Sequence, residues 1–269
     1  MQMKFRCAEL LIGFLFMGAA HADTQCTFEK WALDKSYELL RKGDTGAYIF
    51  TSSNVQVDAD GAPNAYHPDD VGLDCIKGES FKGLDCPANG GYPNQSWWRD
   101  AILPDPLDNN KGYIQKTGKY KGYFVSQTSL HDNTKPATSP ERYVNASVVP
   151  YIVFPGKLNM LKGTGTVGDF GFAFNLDSGK SSAFIVAEVG PTDAKLGEMS
   201  IALGVALGGN PNPRTGAGKP GGTNVFIVFP HSRMKPAWPI SNADIANKVN
   251  VLLEQAGGLE MLKSCAKKS

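Results

Sequence analysis

Histidine is scarce in this chain and poorly placed for metal chemistry. Of its four copies His21 falls in an N-terminal apolar segment, while His67, His131 and His231 stand alone, with no second histidine at helical metal-binding spacing. That pattern argues against a zinc enzyme. No Gly-x-Ser-x-Gly occurs, so a serine-hydrolase elbow has no sequence to build it. Beyond the N-terminal segment there is no apolar run long enough to span a bilayer, no low-complexity linker and no internal repeat. Net charge is missing too: of 27 Lys and Arg and 26 Asp and Glu, the first twenty-two residues hold Lys4, Arg6 and Glu9, which leaves the remainder balanced. Overall charge therefore points to no nucleic-acid partner.

What is present starts with that N-terminal segment. Lys4 and Arg6 precede "LLIGFLFMGAA", and Ala20-His21-Ala22 fits the small-residue rule for signal-peptide cleavage. The expectation is a leader over residues 1–22, cleavage after Ala22, and a secreted or periplasmic protein that begins at Asp23 and does not insert in a membrane. Cys7 leaves with the leader, and Cys26, Cys75, Cys86 and Cys265 remain. In an oxidising compartment these form two disulfides. Of the three pairings, we favour Cys75–Cys86, closing a short local loop, with Cys26–Cys265 tying the two ends together.

Residues 23–269 suit one domain with one well-buried core. Short apolar or alternating runs rich in β-branched and aromatic residues ("AYIF", "NVQVD", "GYFVSQT", "SVVPYIVFP", "FGFAFNL", "SAFIVAEV", "NVFIVFP") alternate with turn clusters such as "DADGAPN" and "HDNTKP". Three helices are expected. One covers Thr27 to Arg41 with Phe28, Trp31 and Leu39 or Leu40 inward; one runs from Glu198 to Leu207; one follows Ser241, with Ile245, Val249, Leu252, Leu253 and Ala256 at helical spacing and Asp244 three residues after the cap. The fold class is α+β with β dominant, around a barrel-like core, a double-psi barrel being one form of it. Periodicity alone does not separate barrel from sandwich.

Several motifs fail on inspection. "GTGTVG" has dinucleotide-turn spacing but is followed by the strand pattern "DFGFAFNL" where a helix should start. "GAGKPGG" has Pro213 in place of the first phosphate-loop glycine and Pro220 in place of the magnesium-binding hydroxyl. "VDADGAPN" resembles a calcium loop, yet aligning Gly61 to its turn glycine puts Gln56 first and His67 last, where a bidentate glutamate is needed. No metal and no cofactor are expected.

Two carboxylates are harder to dismiss. In "AEVGPTDAKLGEMS" a strand-like run ends in Glu188, and a turn with Gly190, Pro191 and Gly197 leads to Glu198 at the start of a helical pattern. Glycosidic hydrolysis needs one carboxylic acid to protonate the leaving oxygen and one carboxylate to activate water or attack carbon. An acid emerging from an apolar strand has a raised pKa, which suits Glu188 as the acid; an acid at a helix start is stabilised as an anion, which suits Glu198 as the base. Spacing alone favours the plainer reading, in which Glu198 improves a helix start and Glu188 is a surface residue, since acids are common at helix starts.

"VDADGAPNAYHP", "GYFVSQTSLHD", "RYVNASVVPYIVFP", "AEVGP" followed by "GEMSIALG", and "NVFIVFP", in that order from about Val55 to Pro230, resemble the chitosanases of glycoside hydrolase family 75. The resemblance implies an endo-acting, inverting, metal-independent hydrolase of β-1,4-linked glucosamine polymers. It places the family's essential glutamate on Glu198 and its essential aspartate on Glu188, where this chain carries a longer side chain, with Asp193 in the same turn as a substitute. Inversion calls for carboxyls about 6.5–9.5 Å apart. Glucosamine polymers are cationic, and from Asp58 to Cys86 seven acids, including Asp58 and Asp60, face only Lys77 and Lys82. Sugars stack on aromatic faces, so Tyr92, Trp97 and Trp98 in "GGYPNQSWWRD" are the first candidates for a subsite, with Tyr113, Tyr120 and Trp238 behind them. A peptidoglycan-directed glycosidase and a non-catalytic saccharide-binding protein are the alternatives.

Overall fold

Most of the apolar runs become strands of one mixed sheet. The computed structural model describes residues 25–31, 38–73, 75, 86–88, 91–212 and 218–267. The expected leader, and Asp74, Lys77, Glu79, Lys82 and Asp85 of the acidic stretch, lie outside the described residues. In chain order the strands are β1 (Glu29–Trp31), β2 (Leu39–Arg41), β3 (Tyr48–Ser52), β4 (Gln56–Asp58), β5 (Pro104–Asp105), β6 (Asp108–Gly112), β7 (Tyr151–Pro155), β8 (Phe170–Asn175), β9 (Ser181–Gly190), β10 (Glu198–Ser200) and β11 (Asn224–Phe229). The helices are α1 (Trp98–Ala101), α2 (Gly156–Asn159), α3 (Ile201–Ala206), α4 (Asn242–Ala256) and α5 (Gly258–Ala266).

Nine strands form a sheet in the order β1-β2-β3-β11-β8-β9-β7-β10-β4, and β5 pairs with β6 apart from it. The fold is α+β and β-dominant, but β1 and β4 remain separate edges, so hydrogen bonds do not close a barrel. The centre, β3-β11-β8-β9, is antiparallel, whereas β7 joins β9 in parallel and β10 joins β4 in parallel.

Alternation sends side chains to two faces. On one, Tyr48, Phe50, Ile152, Phe154, Phe184, Val186, Met199, Phe226 and Val228 pack with Leu158 of α2 and Leu203 of α3. On the other, Ile49, Tyr151, Val153, Phe170, Phe172, Ile185, Val225 and Ile227 meet α4 and α5, together with buried residues of the long segment between β4 and β7. The helix after Ser241 forms as expected: Ser241 Oγ accepts the Asp244 amide at 3.1 Å, and Ile245, Val249, Leu253 and Ala256 are buried while Leu252 is half-buried. Each such aliphatic side chain contributes about 1.5–3 kcal/mol by leaving water.

Two helix expectations need correction. Glu29–Trp31 and Leu39–Arg41 are antiparallel strands, not parts of a helix, with Glu29 opposite Arg41. Leu39 and Leu40 fall in opposite core clusters, as strand neighbours must, and β2 continues the sheet through Leu40 opposite Ile49. Residues 32–37, between these strands, lie outside the described residues. Second, Glu198 starts β10 rather than a helix; α3 begins at Ile201, capped by Ser200, whose side chain accepts from the Leu203 amide. "GYFVSQT" forms only isolated bridges, Ile114 with Phe124 and Ile102 with Ser126.

Both disulfides form as paired from the sequence, Cys26–Cys265 and Cys75–Cys86. Such bonds persist in oxidising surroundings. Among the described residues no helix is long and apolar enough to cross a membrane.

Candidate active site

Strict alternation along β9 would put Glu188 among the apolar residues of the α2–α3 face, since Phe184 and Val186 are there. A β-bulge prevents this. Ile152 of β7 pairs with Val186, but its neighbour Val153 pairs with Glu188, so Ala187 is the extra residue and Glu188 turns to the face of Tyr151 and Val153. Bulges re-aim side chains in this way by placing two residues against one.

The re-aimed carboxyl is 7% exposed and firmly held. Ser129 donates its amide to Oε2 at 2.8 Å and its hydroxyl to Oε1, and the Val189 amide donates to Oε1 at 2.8 Å. Those contacts occupy three of about four lone-pair positions on a carboxyl group, leaving the fourth on Oε2. Burial pushes the Glu188 carboxyl up to about 7, against the lowering effect of the Ser129 and Val189 hydrogen bonds and with some help from the charge of Asp58. Glu188 therefore holds its proton near neutrality.

Asp58, at the end of β4, is the partner that spacing did not reveal. Its Oδ1 accepts the Asp60 amide at 2.8 Å and its Oδ2 lies 2.9 Å from the Tyr151 hydroxyl. Burial raises it to about 6, partly offset by hydrogen bonds from the Asp60 amide, the Tyr151 hydroxyl and the Ala59 amide. Tyr151 is pushed well above its ordinary range by burial and then by Asp58, Asp60 and Glu188. Asp60 accepts the Tyr66 hydroxyl at 2.6 Å.

Glu198 shares this face. Its neighbour Met199 pairs with Ile152 and packs on the α2–α3 side, which turns Glu198 and Ser200 the other way. In the parallel β10–β4 pair Glu198 stands opposite Gln56 and Ser200 opposite Asp58. Glu198 Oε2 lies 3.7 Å from where a Cβ on Gly190 would sit, an ordinary contact distance that places the carboxylate over this strand position, and Val153 Cγ1 lies 3.2 Å from the same point. Glu188 and Gly190 are two residues apart on β9, so the two acids approach the strand at points about 6.6 Å apart. Gly197, just before Glu198, has φ of +113° and backs onto the Ser52 hydroxyl, where a Cβ would come to 2.9 Å. The turn between the acids is pinned to the start of α2 by Gly156 N to Pro191 O at 3.0 Å and Lys157 N to Thr192 O at 3.2 Å. Asp193, the substitute candidate, is exposed on that turn.

The aromatic candidates separate. Trp98 is fully buried, its ring 5.2 Å from that of Tyr92, and Tyr92 also packs on Phe124 and accepts the Gly112 amide through its hydroxyl. Trp98 is thus a core anchor rather than a sugar platform; Tyr92 and Trp97 are half-buried and pack against the core. A groove of about 740 Å³ is lined instead by Tyr113, Tyr120, Tyr143 and Trp238, with Lys116, Lys119 and Glu141. It reaches Gly61, next to Asp60, whereas Asp58, Glu188 and Glu198 are not in its walls.

The acidic field is also reduced. Asp58 and Asp70 are buried, and Asp70 accepts the Ala88 amide at 2.9 Å. Among the described residues no group of three or more His, Cys, Asp or Glu side chains is placed to hold a metal ion. Ser129 and Tyr151 were not singled out in the sequence; Ser129 lies in "VSQTSLHD" with nothing local to mark it, and Tyr151 is one aromatic among many. Comparison of the chain with protein-family models and with curated proteins gives no match.

Proposed function

We propose that the protein is an endo-acting glycoside hydrolase that cleaves β-1,4 bonds of an amino-sugar polymer by an inverting, two-carboxylate mechanism. The observation that carries this reading is the bulge at Ala187–Glu188, which brings a buried, proton-retaining carboxyl to the same face as the half-exposed Glu198. Glu188 protonates the glycosidic oxygen as the carbon–oxygen bond breaks. Glu198 takes a proton from the water that attacks the anomeric carbon from the opposite side. The Ser129 amide and hydroxyl hold Glu188 in orientation and receive its negative charge once the proton has left. Tyr113, Tyr120, Tyr143 and Trp238 give the neighbouring groove the aromatic faces on which sugar rings stack.

A glucosamine polymer is the first substrate under this reading. One observation favours a second, the carboxylate-bearing glycan of peptidoglycan: Lys116 and Lys119 stand in the groove, over Tyr113 and Tyr120, while Asp58 and Asp70 are turned inward. The test is reducing-end release from chitosan, acetylated chitin and peptidoglycan, with wild type and Glu198→Gln side by side. Release from one substrate that Glu198→Gln abolishes supports the reading and names the polymer. Release from none overturns it.

A further inference from the structure

Tyr151 presents a problem of proton counting. Its hydroxyl is fully buried and lies 2.9 Å from Asp58 Oδ2 and 2.9 Å from the Asp60 carbonyl oxygen. A phenol has one proton to donate. The Asp60 carbonyl can only accept, so if Asp58 were a carboxylate, two acceptors would compete for one hydrogen and one oxygen pair would meet at hydrogen-bond distance with no proton between them. Buried polar groups left in that state destabilise the fold, and more so where one is charged.

We propose that Asp58 is held as a neutral carboxylic acid whose O–H is donated to Tyr151, while Tyr151 donates its own proton to the Asp60 carbonyl, and that Asp58 acts on Glu188 as a positioning residue once it ionises. Every oxygen then has its partner. The remaining Asp58 oxygen, Oδ1, accepts the Asp60 amide, as a neutral acid also can.

The surroundings favour the same state. Among the described residues, the titratable groups on the elements packed around Asp58 are Tyr151 on β7, Glu188 on β9, Glu198 on β10, and Asp60 and Tyr66 in the turn that follows β4. All are acids, and among the described residues no ion pair reaches Asp58. Burial without a cation disfavours the charged form, which is the direction found for Asp58.

The consequence for Glu188 follows from charge. While Asp58 is neutral, Glu188 answers to burial and to its Ser129 and Val189 hydrogen bonds; when Asp58 ionises, its charge opposes ionisation of Glu188 and keeps the proton there to higher pH. This service to Glu188 rests on the hydrolase reading, whereas the protonation of Asp58 does not.

The experiment is denaturant unfolding of wild type and Asp58→Asn from pH 4 to 8. An asparagine amide donates to Tyr151 as the acid does but cannot ionise. The wild-type midpoint should fall relative to the variant as pH rises through about 6. A wild-type midpoint that rises relative to the variant, or that runs parallel to it, overturns the proposal. Should Asp58→Asn fail to fold, infrared spectra of wild type carrying carboxyl-labelled aspartate give the same answer at pH 5: a protonated carboxyl band supports the proposal and its absence overturns it. For Glu188, the alkaline limb of the kcat/KM profile should move to lower pH in Asp58→Asn; an unmoved limb removes the positioning role. If no substrate is turned over, the hydrolase reading fails by itself and the unfolding and infrared results still decide the state of Asp58.

Discussion

Tyr48 and Tyr151 are both fully buried tyrosines on the same sheet, one on each face. Tyr48 gives its proton to the Thr164 carbonyl at 3.0 Å in a cluster of apolar side chains, with the charge of Asp169 acting on it from nearby. Tyr151 lies between two acceptors and beside three carboxyl groups. The same residue thus closes a core on one face and anchors a proton network on the other. What separates them is the β7–β10–β4 end of the sheet, where Asp58, Glu188 and Glu198 replace the aliphatic residues that alternation supplies elsewhere.

That contrast can be broken first at its most reactive point. Glu198→Gln should lower hydrolysis about 100- to 10,000-fold, measured as reducing-end release, with the unfolding midpoint nearly unchanged. A loss explained by unfolding would make the polar face a structural device only. On the apolar face Phe226 stacks on Phe50 at 4.7 Å between centroids, and Phe226→Ala should cost about 3–5 kcal/mol in urea unfolding, independent of pH.

The polar face should respond to pH in the opposite way. Asp58 is raised from 3.8 to about 6 and Glu188 from 4.5 to about 7. A folded-state value above the unfolded one means that stability is fully present below the unfolded value and is lost as pH rises through the folded one. Between roughly pH 4 and 7 the protein should lose on the order of 3 kcal/mol per carboxyl, and unfolding at fixed denaturant across that range checks it. A flat profile would equate the two faces. The smallest effect belongs to Gly190→Ala, where the new methyl meets Val153 Cγ1 at 3.2 Å and Glu198 Oε2 at 3.7 Å. Only Val153 has to give way, and the carboxylate is met at an ordinary contact distance, so stability should change by about 1 kcal/mol or less and turnover in a steady-state assay should stay near wild type.

The sequence was informative where structure is local. Runs such as "FGFAFNL" and "NVFIVFP" became β8 and β11 because strand periodicity is carried by adjacent residues, and Ser241 with Asp244 marked α4 because a cap spans one turn. Phe28, Trp31 and Leu39 suggested a helix because short strands on either side of a turn can mimic helical spacing. Glu188 and Glu198 could be picked out, but the bulge could not, since it is set by the register against β7 rather than by anything in β9. Asp58 was noticed only as one acid of seven; its place beside Tyr151, ninety-three positions along the chain, depends on β4 closing the far edge of the sheet. That Trp98 is buried was not legible, because aromatic residues in a loop give no local sign of which ring faces inward.

The Cys26–Cys265 bond spans 239 positions and so makes nearly all of the described chain a covalent ring. A single peptide cut inside that ring, for example at Leu107, which is 90% exposed between β5 and β6, cannot release either piece. The nicked protein should migrate as one species until it is reduced and as two fragments afterwards. Damage by an external protease is thereby converted from loss of a fragment into a silent break.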